Sequence, residues 1–298
     1  MKILLTGGTG LLGTSFTGLL NKGKNQLAIT YLKNKPSEKG FASVKMDLSN
    51  KREIQSTIQS IKPGLIIHTA AATNIEWCEA NPKEAFQINS DATETIVEVA
   101  SKLGAKVVYI STDFVFDGQK GNYTEEDRPN PINVYGKSKL KGELAVLKDQ
   151  KNLVVRTNIY GIDPLPDKQS FAAFIVSSLK AGKQITAADD QFCNQIFAGQ
   201  LSKYIMEMVD SGMEGLFHLS TKDSSSRYGF AMQVCDIFGL DKALVKRAKL
   251  ADLVSMFKWK AKRPQNTSFE VGKLGKTFKL PTIKTSLEAY KKEMENNL

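Results

Sequence analysis

The first half of the chain alternates short apolar runs with longer stretches of mixed polarity. Ile3-Leu4-Leu5 predicts a strand, Leu11 to Leu20 a helix, and Leu27 to Tyr31 a second strand. A short third strand is expected just before Asp47. Lys51 to Ile61 reads as a helix and Leu65 to Ile67 as a strand. Pro82 to Leu103 predicts one long helix, with Pro82 in its first turn, where a missing N–H costs nothing. Lys106 to Ile110 is continuous and apolar, as expected for a strand buried on both faces. Pro131 to Lys148 contains a helix, and Leu153 to Val155 is a further strand. Strands alternating with helices imply right-handed crossovers, so the expected fold is α/β, a Rossmann-type doubly wound parallel sheet. After about residue 157 the rhythm loosens. Pro164 and Pro166 interrupt the chain, Ser170 to Leu179 and Arg227 to Phe238 read as helices, and Gly215 to Leu219 as a short strand. The change is gradual and no linker marks it. The expected organisation is a domain over 1–160, to which part of the C-terminal half returns, and a smaller C-terminal cap over 161–298.

Composition narrows the class. The 298 residues are 41% hydrophobic and 24% charged, ordinary for a globular protein with a sizeable core. Charge is the unusual feature, with 41 basic against 31 acidic residues and a net +10. Such a surplus suits an anionic partner, whether nucleic acid, lipid or a phosphorylated small molecule, although scattered surface lysines give the same sum. Many of the lysines lie between Lys242 and Lys262. Cys78, Cys193 and Cys235 are too far apart for a zinc or disulfide pattern and are expected to be buried and reduced. Two histidines, His68 and His218, exclude a multi-histidine metal site, and no metal is expected. The apolar N-terminal run is too short for a signal peptide, and no run approaches a membrane span. A cytoplasmic protein with neither a membrane nor a nucleic-acid partner is the expectation, since no arginine–aromatic binding motif occurs.

The first strand runs into Thr6-Gly7-Gly8-Thr9-Gly10-Leu11-Leu12-Gly13, which opens the first helix. Glycines at 7, 10 and 13 suit a tight turn, close approach of a pyrophosphate and close helix–strand packing. The helix N-terminus would then offer N–H groups and a positive dipole to phosphates. With a strand before and a helix after, this context predicts a dinucleotide site. NAD sites carry an acidic residue at the end of the second strand, but this chain reads Thr30-Tyr31-Leu32-Lys33-Asn34-Lys35. Two lysines and no carboxylate favour NADP, with NAD left open. Asp47 suits either a hydrogen bond to the adenine amino group or a cap on the next helix.

Tyr135 and Lys139 are spaced to share one helix face, one turn apart. An ammonium there favours the tyrosinate, so the phenol could protonate a carbonyl oxygen as hydride reaches the carbon, or run the reverse. Ser111-Thr112 lies just beyond the strand Lys106 to Ile110, at its carboxyl end, where ligands of open parallel sheets bind.

These residues carry a resemblance. Ser111-Thr112-Asp113-Phe114-Val115-Phe116-Asp117-Gly118, then Asn130-Pro131-Ile132-Asn133-Val134-Tyr135-Gly136-Lys137-Ser138-Lys139-Leu140 and Gly142-Glu143, resemble the dTDP-4-dehydrorhamnose reductases. These form a branch of the extended short-chain dehydrogenases/reductases. His68-Thr69-Ala70-Ala71-Ala72-Thr73 is similar to the family segment that covers the cofactor. The resemblance implies reduction of a nucleotide-linked 4-keto-6-deoxysugar, with Thr112, Tyr135 and Lys139 as the catalytic triad. It implies cofactor contacts at Gly7, Thr9, Gly10, Leu11, Leu12, Gly13, Tyr31, Lys33, Asp47, Leu48, Ala70, Ala71, Ala72, Asn89, Tyr135 and Lys139. Substrate contacts follow at Thr73, Ile75, Thr112, Phe114, Asn158, Gln191 and Arg263. The implied partner is a nucleotide diphosphosugar, and a homodimer is left open.

Departures cluster at the substrate end. Phe114 stands where the family usually has tyrosine, and Asp189-Asp190-Gln191 is followed by Phe192-Cys193-Asn194-Gln195-Ile196-Phe197 instead of Gly-x-Pro-Thr. Arg156 to Gly161 lacks the family's tryptophan. Two other readings share the fold: a nucleotide-sugar 4-epimerase or dehydrogenase, and a non-catalytic NADP-binding regulatory subunit like the beta subunit of methionine adenosyltransferase.

Overall fold

A computed structural model describes residues 1–21, 25–36, 38–164 and 169–296. Pro166 lies outside the described residues. The chain divides into two compact units. The first comprises Met1–Thr112, Asn133–Arg156 and Ser202–Phe217, and the second Asp113–Ile132, Thr157–Leu201 and His218–Leu298.

The first unit is built on a seven-stranded sheet. Its strands are β1 (Lys2–Thr6), β2 (Gln26–Tyr31), β3 (Ala42–Lys45), β4 (Leu65–His68), β5 (Lys106–Thr112) and β6 (Leu153–Thr157), with Gly215–His218 at one edge. The spatial order is β3-β2-β1-β4-β5-β6 followed by that edge strand. Neighbours β1–β2, β1–β4, β2–β3 and β4–β5 are parallel. This is the doubly wound Rossmann order that the strand–helix alternation predicts, and its switch point lies between β1 and β4. Strand residues Leu4, Ala28, Ile66 and Val107 pack with Ile54, Ile58, Ile96 and Val99 in one apolar cluster. Those isoleucines and valines come from helices α2 (Lys51–Ile61) and α5 (Ala92–Lys102). Between them in sequence lie α3 (Ile75–Ala80) and α4 (Pro82–Phe86), and the first helix, α1, spans Leu11–Leu20.

The long helix expected over 82–103 is interrupted. After α4 the residues Gln87–Asp91 wind as a π-helical turn before α5 resumes. Apolar periodicity does not register one extra residue in a turn, so the sequence pattern runs straight through it. Helix α6 (Val134–Val146) begins at Asn133, whose side chain accepts from the Gly136 N–H at 2.8 Å. Its Val146 packs with Tyr109 of β5 and Val154 of β6.

The second unit has its own apolar core. Tyr160 packs edge-on to Phe230 and Tyr290, at centroid distances of 5.3 and 5.5 Å. Ile175, Val234, Cys235 and Leu287 join it from the helices Phe171–Lys180, Arg227–Phe238 and Ile283–Asn296. The lysine-rich segment forms a strand, Val245–Ala248, parallel to Ile185–Ala188, then the helix Leu250–Phe257. Asp190 accepts from the Leu250 N–H at 2.7 Å, and Lys249 pairs with Asp189 at 2.9 Å. Part of the basic surplus is thus matched by neighbouring aspartates. Cys78, Cys193 and Cys235 are free and buried. Among the described residues no helix is long and apolar enough to cross a membrane, and no cluster of acidic, histidine or cysteine side chains is arranged to hold a metal ion.

Candidate active site

The glycine segment turns between β1 and α1 at the switch point. Gly7 has φ +67°, and a Cβ there would lie 2.9 Å from the Ala70 Cα, so a side chain would meet the segment after β4 as well as backbone strain. A Cβ on Gly13 would strike the Gly7 carbonyl, which is how α1 lies so close to the turn. Gly10 is the N-cap of α1, offers no capping side chain, and no acidic residue follows in the first turn. The N–H groups of that turn therefore face no built-in anion, which suits a phosphate.

Beyond β2, an open depression of ≈ 470 Å³ is lined by Leu32, Lys33, Lys45, Asp47 and Glu53. Parallel register sets Lys45 beside Tyr31. Both carboxylates in the depression are engaged locally. Asp47 Oδ1 accepts from the Ser49 N–H and Oγ, each at 2.8 Å, and Glu53 accepts from the Asp47 N–H at 2.9 Å. The cap of α2 is Asn50, which accepts from the Arg52 and Glu53 N–H groups. Of the two uses open to Asp47, capping this helix is therefore taken by Asn50. Lys45 is absent from the sequence reading, because its place beside β2 depends on strand register.

Three backbone segments meet at Asn89, which the π-turn carries and which is fully buried. Its Oδ1 accepts from the Ala72 N–H at 2.8 Å. Its Nδ2 donates to the Ala72 carbonyl at 2.9 Å and to Ser138 Oγ at 3.0 Å. Ser138 in turn donates to the Tyr135 carbonyl at 2.8 Å. The amide thus ties the segment after β4 to the turn of α6 that bears Tyr135. Thr112 is the buried last residue of β5, and Lys139 is buried one turn beyond Tyr135. The Lys139 ammonium sits over the Tyr109 ring, 3.9 Å from its centroid. Burial pushes Lys139 down to about 7, and the Glu143 carboxylate opposes that fall. Burial, the Glu143 charge and Tyr135 all push the Tyr109 phenol upward.

His68 is a packed strand-end residue. Its Nδ1 lies 2.7 Å from Thr6 Oγ1 and its Nε2 lies 3.1 Å from Thr93 Oγ1. Burial, then the Lys139 charge, hold it down to about 3. The unfolded chain therefore takes up this proton near pH 6.5, before the folded one does. Above pH 6.5 the neutral ring costs nothing, and stability falls as pH drops from 6.5 toward 3, by a few kcal/mol in total. The expected result is a steeper loss of stability below pH 6.5 in the native protein than in His68→Gln. Denaturant unfolding followed across pH measures it, and parallel curves would remove His68 as the cause.

Thr73 is exposed and Ile75 half-buried at the start of α3. The other candidate substrate residues belong to the second unit. Phe114 is buried in a single 3₁₀ turn, Asp113–Val115. Asn158 donates to Asp113 Oδ2 at 2.8 Å, an oxygen that also accepts from Thr267. Gln191 donates to the Pro264 carbonyl at 3.2 Å, next to Arg263, whose guanidinium lies 3.9 Å from the centre of the Trp259 ring. His218 is fully buried, stacked on Phe269 at 4.3 Å with Nδ1 3.0 Å from the Tyr123 carbonyl, a structural role.

Residues 1–296 match the RmlD substrate binding domain family. The chain belongs to that family. A dTDP-4-dehydrorhamnose reductase of Sinorhizobium fredii is 32% identical over 246 residues, 78% of this chain and 80% of its own. Methionine adenosyltransferase 2 subunit beta of Danio rerio is 29% identical over 287 residues, 92% of this chain and 84% of its own. A solved dTDP-4-dehydrorhamnose reductase from Bacillus anthracis, in complex with NADP, superposes with a TM-score of 0.83 at 26% identity, covering 98% of this chain and 99% of that one. The resemblance drawn from Ser111–Gly118 and Asn130–Glu143 holds, and the RmlD family fold is the doubly wound sheet expected from the sequence.

Proposed function

We propose that this RmlD-family chain is an NADP-dependent reductase of a nucleotide-linked 4-keto-6-deoxysugar. The observation that carries the reading is the pairing on α6 of Tyr135 with a buried Lys139, braced through Asn89 and set in the unit that bears Thr112 at a strand end. Tyr135 gives its phenolic proton to the C4 oxygen of the sugar, and Lys139 stabilises the tyrosinate left behind. Thr112 holds the same oxygen by a hydrogen bond, which fixes the carbonyl for attack. A bound nicotinamide would supply the hydride to C4. The residues present fit such a dinucleotide: an uncapped helix N-terminus for the pyrophosphate, and Lys33 with Lys45 for a 2′-phosphate. Purified protein is expected to oxidise NADPH only when given a keto sugar nucleotide. A panel of dTDP-, UDP-, GDP- and CDP-linked 4-keto sugars names the substrate, and no turnover with any of them would refute the reading.

Cofactor choice has its own test. Lys33→Glu combined with Lys45→Glu is expected to raise KM for NADPH about 10–100-fold while leaving KM for NADH nearly unchanged. Equal changes for both cofactors would remove these lysines from the 2′-phosphate site.

The likeness to the methionine adenosyltransferase beta subunits favours a second reading, a dinucleotide-binding regulatory subunit. Stoichiometric co-purification of a synthetase without reductase turnover would decide for it.

A further inference from the structure

We propose that Glu143 is a positioning residue for the Tyr135–Lys139 pair, a fixed negative charge one helical turn beyond Lys139 that also ties the end of β5 to α6. The inference rests on the catalytic reading of Tyr135 and Lys139 given above.

Glu143 is buried, with 1% of its surface exposed, and both its oxygens are occupied. Oε1 accepts from Ser111 Oγ and from Arg156 Nε, the latter at 3.0 Å, and Oε2 accepts from Arg156 Nε at 3.1 Å and Nη2 at 2.7 Å. Arg156 is as deeply buried, with 3% of its surface exposed. The cluster joins three elements, β5 through Ser111, α6 through Glu143 and β6 through Arg156. Ser111 directly precedes Thr112, so the carboxylate sets the strand end that carries Thr112 against the helix that carries Tyr135 and Lys139.

A buried ion pair contributes little over a well-packed apolar filling, so stability alone does not account for this one. Its surroundings supply a reason. Around Lys139 stand Glu143 from its own helix, Tyr109 from β5 and His68 from β4, and Tyr135, which acts on the same Tyr109, lies one turn before it. Arg156 on β6 pairs with Glu143. Among these groups Glu143 is the one carboxylate, and His68 is held neutral by burial. Burial favours the neutral amine of Lys139, and a carboxylate at this spacing favours the ammonium. The ammonium exists below its pKa, so loss of the opposing charge shrinks its range from the alkaline side.

The test is Glu143→Gln, which keeps the shape and an acceptor oxygen but removes the charge. The alkaline limb of kcat/KM is expected to move down by about one pH unit or more. Activity at alkaline pH then falls about tenfold and activity on the acid side changes little. Glu143→Asp restores part of the shift. Titration of the Lys139 Nζ by heteronuclear NMR, without substrate or cofactor, is expected to move in the same direction. If the single variant unfolds, Glu143→Gln with Arg156→Met removes both charges, and the same two measurements apply. A kcat/KM profile that is merely scaled down at every pH, together with an unmoved Nζ titration, overturns the proposal. Should Tyr135→Phe keep its activity, the catalytic reading fails, while the Nζ titration still decides whether Glu143 governs Lys139.

Discussion

Tyr135→Phe is expected to lower kcat for keto-sugar reduction by about 10²–10⁴-fold, the contribution of a positioned general acid. The substitution removes one oxygen from α6 and leaves the scaffold intact. The Tyr135 carbonyl, not the phenol, receives the Ser138 hydrogen bond, and Asn89 holds Ser138 from the π-turn. The thermal midpoint should therefore move little, and the affinity for NADPH, read by quenching of protein fluorescence, should stay within a few-fold of the native value. The loss should sit in kcat with KM for the sugar nucleotide nearly constant, because the proton moves only as the transition state forms. An equal loss in kcat and in NADPH affinity would point to damage of the site in place of lost proton transfer. Full activity would end the assignment of Tyr135.

Arg156→Ala is expected to produce the largest loss of stability, about 3–5 kcal/mol, because it leaves the Glu143 carboxylate buried without its cation. The pair has Nη2 to Oε2 at 2.7 Å, and both partners are shielded from water. Ser111 would remain as a donor to Glu143, but one hydroxyl does not replace a guanidinium that makes three contacts. Urea unfolding measures the change. Combining Arg156→Met with Glu143→Leu should recover most of the stability, since the cost lies in the orphaned charge and not in lost packing. That double variant should still be impaired in catalysis at alkaline pH, because the charge near Lys139 is gone. A single Arg156 variant as stable as the native chain would show that Glu143 does not depend on Arg156 for compensation.

What the sequence discloses and what it hides divides by the range of the contact. The glycine turn is legible because its signal is local: strand, three spaced glycines, helix. Tyr135 and Lys139 are legible for the same reason, since a spacing of four places two side chains on one helical face. The sheet follows from alternation, and the strands β1, β2 and β4 fall where the apolar runs put them, β2 and β4 longer by a residue at one end and β1 by a residue at each. Glu143, Arg156 and Ser111 are each plain in the sequence, but their meeting is a tertiary event among β5, α6 and β6, and no spacing announces it. Lys45 is hidden because parallel register, not sequence distance, sets it beside Tyr31. The helix Leu250–Phe257 is hidden because it lies in a lysine-rich stretch and is only 8 residues long, too short for a clear apolar period. At the substrate end, Phe114, Asn158, Gln191 and Arg263 are implied by the family resemblance alone, because no local spacing links them.

The π-turn at Gln87–Asp91 gives the helix an extra residue where Asn89 must reach both Ala72 and Ser138. Successive α-helical residues are set about 100° apart around the axis. Regularising this turn by losing one residue would therefore rotate everything on one side of it relative to the other by about that angle. Asn89 could no longer address the segment after β4 and the helix α6 together. The chain length of this stretch is thus fixed more tightly than its composition: many substitutions on its exposed face are tolerable, but a single-residue insertion or deletion is not.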